Sequence, residues 1–217
     1  MKPNITLVVL LTIAGAAFSQ ELAPARSIDS VQTALDRAPV RAGSIIKRFG
    51  ETDSALMAMQ ELLEEIAALP GIKSHATMKE LHGSKTMSRG LLAKDSASGI
   101  CLYLSWFGNG ATTPVHDHLT WGAIRVLEGH DRYVKWERRV SDRSDEVQVT
   151  KGEDRVLGPG ESVFWLGPPH DTHSQAAVDG DVWELVLTGR DLASDYVAKR
   201  QHRFDPKSGR LITTTIR

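Results

Sequence analysis

The sequence has little cysteine, no charge imbalance and few long apolar runs. Cys101 is the single cysteine in 217 residues, so no intrachain disulfide can form. It lies in the apolar run Ile100 to Phe107 and reads as a small buried hydrophobe. The formal net charge is -1, which gives no support to a nucleic-acid groove or a polybasic membrane surface. No internal repeat and no low-complexity tract breaks the chain. One long apolar run exists, Ile5 to Phe18, shorter than the ~20 residues a spanning helix needs. With Lys2 before it and Ala17-Phe18-Ser19 after it, the run reads as a signal peptide over residues 1–19, cut before Gln20. No cysteine sits near that cut, so nothing points to a lipoprotein. The expected mature protein is exported, without stable membrane insertion. The whole chain is 41% hydrophobic and 24% charged, a globular composition. An exported protein with no disulfide must draw its stability from a core or from bound metal.

The pattern changes character along the chain. Residues 20–85 read as a helical segment. Val31, Ala34, Leu35 and Ala38 share a face that Pro39 is expected to end, and Ser44 to Phe49 reads as a short helix. Asp53 to Leu69 is the best helix, with Leu56, Met57, Met59, Leu62, Leu63, Ile66 and Leu69 in one stripe before Pro70-Gly71. Thr77-Met78-Lys79-Glu80 fits a capping box for a short helix to about His82. Residues 86–195 are instead short apolar runs separated by Gly, Asp, Asn and Ser, as in an all-β sandwich or barrel. Arg132 to Arg138, Val147 to Thr150, Arg155 to Leu157 and Val163 to Leu166 read as separate strands. Residues 196–217 form a polar tail.

The centre of interest is Thr113 to Gly129, TPVHDHLTWGAIRVLEG. On a strand, side chains at i and i+2 leave the same face, about 6.5–7 Å apart. His116 and His118 can then converge on one metal ion. A later segment supplies a third imidazole. Asp179-Gly180 between apolar runs is the strongest two-residue hairpin signal in the chain. As a hairpin it sets His173 opposite Val186 and brings Glu184 close to His173. His170 and His173 cannot share a strand face. His173 is favoured as the third ligand, with His170 at the rim. Three neutral imidazoles suit Fe(II), Zn, Ni, Cu or Mn. Three protein ligands also leave positions open for substrate.

These residues resemble a family. GATTPVHDHLTWGAIRVLEG is similar to the first motif of the cupins, and more closely to the bacterial branch of cysteine dioxygenase and mercaptopropionate dioxygenase. PGESVFWLGPPHDTHSQAA is similar to the second motif, with Asp171-Thr172-His173 matching better than His170. The resemblance implies an all-β jelly roll, the double-stranded β-helix barrel of cupins, after the small helical segment. Most cupins carry a Glu four or five residues after the second His. Here Gly122 and Ala123 stand there, which implies a three-His set, as in thiol dioxygenases. Arg89 resembles the family Arg that clamps a substrate carboxylate, a role that suits a guanidinium. The chain also departs from the pattern. The family's Ser-His-Tyr network maps onto Glu184, Val186 and Thr188, and Ala123 stands where a crosslinking Cys would.

The expectation is an exported cupin metalloenzyme, a mononuclear non-haem Fe(II) dioxygenase of the thiol dioxygenase type. His116, His118 and His173 hold the iron, with a small carboxylate-bearing substrate and O₂ as its partners. Arg89 and Trp121 are the expected substrate contacts, Trp121 as a pocket wall. Glu184 and His170 are the candidate acid–base groups. Pairing of two copies through their sheets is a further expectation. The alternatives are a non-catalytic metal or small-ligand-binding cupin, and a three-His iron dioxygenase cleaving a non-thiol substrate.

Overall fold

A computed structural model describes residues 28–81, 83–140, 147–194, 202–205 and 210–213. The expected signal peptide at 1–19 and most of the tail from 196 lie outside the described residues. Two helices come first, α1 (Ile28–Phe49) and α2 (Asp53–Ala67). Among the described residues no helix is long and apolar enough to cross a membrane.

α1 runs through Pro39, against the expectation that it stops there. Proline removes one backbone hydrogen bond and crowds the preceding turn. The buried stripe Leu35, Ala38 and Ala42 continues across it, and burying that stripe holds the helix together. α2 follows its apolar stripe, with Met59, Leu62, Leu63 and Ile66 buried; Met57, expected in that stripe, points outward instead.

The strands are β1 (Lys79–Leu81), β2 (Ser84–Lys94), β3 (Cys101–Phe107), β4 (Gly122–Val140), β5 (Val147–Leu157), β6 (Ser162–Trp165) and β7 (His173–Thr188). A separate ribbon, β8 (His202–Asp205) with β9 (Arg210–Thr213), lies in the expected tail. β1 replaces the helix expected over 77–82, because pairing with β2 across Gly83 overrides the local capping signal.

All pairings are antiparallel, in the order β1-β2-β3-β7-β4-β5, with β6 paired to the start of β4 on the edge that β5 takes further along. β4 and β7 carry the architecture. They pair along nearly their whole length, from Gly122↔Thr188 to Lys135↔His173. Both deviate at one level. Gly129 stands there on β4 with φ 78°, where any Cβ would meet the backbone of Asp181. Asp179 (φ 58°) and Gly180 stand there on β7. The Asp179-Gly180 hairpin expected from sequence does not form: the two residues bulge out of a strand that continues in the same direction. Residues 182–188 pair with β3, while residues 173–178 do not.

The sheet thus folds into a jelly-roll barrel preceded by the helical segment. Its interior is a cluster drawn from both halves, including Tyr103, Phe107, Ile124, Val126, Tyr133, Leu157, Trp165 and Val186. The outer face of the first half packs on the helices through Leu102, Leu104, Ala123, Leu185 and Leu187. β5 is one strand, not the two expected. Its Gly152 sits close to the Lys135 carbonyl, next to a register irregularity between Val134 and Trp136.

Candidate metal centre

His116 and His118 are held differently from the expected strand pair. They precede β4, in a segment with one isolated bridge, His116↔His173. The two residues exchange backbone hydrogen bonds, 2.9 Å in each direction. Beyond it the backbone turns, with Leu119 at φ 57°. Asp171 fixes this turn. Its buried carboxylate accepts the N–H groups of His118 (3.1 Å) and Leu119 (2.6 Å). Burial, with the charge of Asp117 added, pushes the Asp171 carboxyl up to about 6. Asp117, fully buried between the two histidines, pairs with Arg138 at 3.2 Å.

The three imidazoles are buried and mutually adjacent. Ring centroids lie 4.7 Å apart for His116–His118, 4.8 Å for His116–His173 and 4.9 Å for His118–His173. One ligand atom from each falls within 4.8 Å of the others. Nδ1 of His116 lies 2.8 Å from the Pro114 carbonyl, and Nδ1 of His173 lies 3.2 Å from the Asp171 carbonyl. A carbonyl only accepts, so each Nδ1 carries its hydrogen and each Nε2 keeps a lone pair. Such carbonyl partners are how metal-binding histidines are commonly oriented. Nε2 of His173 is buried with no hydrogen-bond partner among the described residues. Burial, and then the neighbouring His116, hold the His173 imidazole well below its ordinary pKa, hence neutral. A neutral His173 ring, two Nδ1 atoms fixed by carbonyls and a buried orphan lone pair fit a divalent cation. The residues could hold one.

The other expected residues fall in different places. His170 is exposed, and His173, favoured from sequence, completes the triad. The loop before it is tethered to the helical segment: Glu51 accepts the Gly167 N–H at 2.7 Å. Trp121 is not a wall of the interior. It lies in the helix-side cluster, stacked on Phe164 at 6.4 Å. Trp165 takes the place expected of it, 4.8 Å from the His173 ring and 5.6 Å from His118. Gly122 makes room for that indole, which a Cβ at this position would strike. Tyr133 stacks on His173 at 5.2 Å from β4. Neither aromatic was singled out from sequence.

Glu184 is buried, but its partner is Gln175 rather than His173. The Gln175 amide lies 3.0 Å from one Glu184 oxygen, 3.2 Å from the other and 3.0 Å from Asp131. Asp131 is the group that sequence reading missed. Arg89 is partly buried, stands opposite Ser105, and places its guanidinium 4.8 Å over the Tyr103 ring. It makes no ion pair among the described residues. Loss of solvation lowers its pKa, opposed by Tyr103 and Asp191.

No family model and no curated protein matches the chain. Solved structures do. KdgF from Halomonas sp. shares 17% identity, with a TM-score of 0.41 over 55% of this chain and 92% of that one. A RmlC-like cupin from Shewanella frigidimarina NCIMB 400 shares 21%, with a TM-score of 0.41 over 57% and 91%. The polyketide cyclase RemF from Streptomyces resistomycificus shares 22%, with a TM-score of 0.38 over 53% and 74%. Resemblance at this level says nothing about activity. The strand pairing and the histidines stand by themselves: a jelly-roll barrel with a three-histidine group able to hold a metal.

Proposed function

We propose that the protein is an exported metalloenzyme, a mononuclear non-haem Fe(II) dioxygenase acting on a small carboxylate-bearing substrate. The observation that carries this is the triad itself: three buried, mutually adjacent imidazoles with no thiolate or carboxylate among them. Closed structural zinc sites take four ligands, usually with cysteine, whereas three protein ligands leave room for substrate. Neutral ligands leave a divalent ion's charge uncompensated, which favours an anionic substrate. When bound, iron supplies the means to bring O₂ and substrate together.

The chain's own residues do the rest. His116, His118 and His173 fix the cation, and Asp171 holds the turn that carries His118. Trp165 and Tyr133 stack against the histidines and exclude water. Arg89, with no ion pair among the described residues, receives the substrate carboxylate. Glu184, kept well above the usual carboxyl range by burial and then by Asp131, manages a proton at its Oε atoms. A thiol as the reacting group rests on motif resemblance alone. Export rests on residues 1–19, and N-terminal sequencing of the protein from its own compartment should begin at Gln20.

The direct test is O₂ uptake by iron-loaded protein given cysteine and a set of mercaptocarboxylates. Uptake with one of them supports the thiol dioxygenase type. Silence with all of them retires the thiol. Metal analysis of protein taken from its native compartment tests iron separately.

A further inference from the structure

Asp131 and Glu184 are 1% and 0% exposed, one on each of the two long central strands. Their carboxyl groups converge on the same Gln175 amide. Gln175, itself buried, spans them with one amide nitrogen, and no lysine, arginine or histidine forms an ion pair with either among the described residues. Two carboxylates this deep cannot both be ionised without a cation, because desolvation and mutual repulsion act together. One amide has two hydrogens, too few to offset two buried charges.

The surroundings offer no hidden compensation. On β7, His173 lies two residues from Gln175. On β4, Tyr133 follows Asp131 by two and stands opposite Gln175, and Leu157 of β5 stands opposite Asp131. On β3, Ser105 faces Glu184, and Arg89 of β2 lies beyond Ser105. Tyr133 Oη is buried without a partner.

We propose that Asp131 and Glu184 act as one proton-holding unit, a base inside the barrel for a ligand that arrives with a weakly acidic O–H or S–H and binds as its anion. The pair holds one proton at neutral pH and takes a second. The ligand's O–H or S–H bond breaks and its electron pair stays on that ligand atom. A new O–H bond forms on the pair, which becomes neutral. Burial favours this direction, since giving up the shared proton would leave two charges without solvent. The assignment rests on the metal-centre reading for where the ligand lies, but the shared proton does not.

Infrared spectroscopy of the metal-free protein, with carboxyl-labelled Asp and Glu, tests it without substrate or activity. At pH 8 the spectrum should show one protonated carboxyl per chain, and E184Q should remove it. On acidification the pair takes up its second proton with a midpoint near 6, where burial holds Asp131. Zero or two protonated carboxyls at pH 8, or a signal unchanged in E184Q, would overturn the assignment. If E184Q does not fold, the wild-type count at pH 8 decides alone. Failure here leaves the triad's metal content untouched, and absence of metal leaves this count untouched.

Discussion

The two faces of the β3–β7–β4 sheet are filled in opposite ways. Toward the helices, Leu102, Leu104, Ala123, Leu185 and Leu187 meet α1 and α2 in an apolar layer. Toward the barrel, residues one position along alternate differently: Tyr103, Ser105, Glu184 and Val186 line one half, and Asp131, Tyr133, His173 and Gln175 the other. Burying polar groups costs free energy that burying leucines gains. The strands therefore separate two tasks by parity alone. One face stabilises, and the other carries a polar set that costs stability.

That separation is open to direct attack. The largest effect is expected from H173A, which should drop metal content from near one ion per chain to near none while the fold persists. Elemental analysis checks the first and circular dichroism the second. On the opposite face, L185A should cost about 2–5 kcal/mol in denaturant unfolding and leave metal content unchanged. A loss of metal in L185A, or of fold in H173A, would break the comparison.

A pH series sharpens it. The Asp131 carboxyl is raised by burial from 3.8 to about 6, so its contribution favours the folded state most below about pH 4. That contribution disappears as pH rises through about 6, and it amounts to roughly 2–3 kcal/mol. D131N should flatten this part of the stability curve measured between pH 4 and 7. D171N should keep the fold but weaken metal affinity roughly 10–100-fold in competition with a chelator, because the turn bearing His118 loses its anionic anchor. E51Q, which touches only the loop ahead of His173, should cost no more than about 1.5 kcal/mol, with metal affinity nearly unchanged.

Much of this was legible in the chain. His116, His118 and His173 stood out by spacing and by flanking strand patterns, and α2 by its stripe. The misreadings share one physical cause. Gly129 and Asp179-Gly180 carry the chemistry of turns, and the left-handed backbone that suits a turn also suits a bulge. Only the partner strand decides between the two. Reading Arg132 to Arg138 as a separate strand cut β4 short and left Asp131 outside it. Taking Asp179-Gly180 as a hairpin folded His173 back toward Glu184, where β7 instead runs on along β4. Trp121 and Trp165 show the same limit: both flank apolar residues, and only pairing of Gly122 with Trp165 reveals which indole meets the histidines. Asp171 lay beside the favoured ligand, but nothing local disclosed that its carboxylate holds a turn 52 residues earlier.

The hydrogen bond from Gly167 to Glu51 joins the α1–α2 turn to the loop that delivers His173. The helical segment is thus a handle on the histidine centre as well as a lid for the sheet's outer side. A fluorophore attached at exposed Thr52 would report from outside the barrel when that loop shifts, offering an optical readout of loading that needs no substrate.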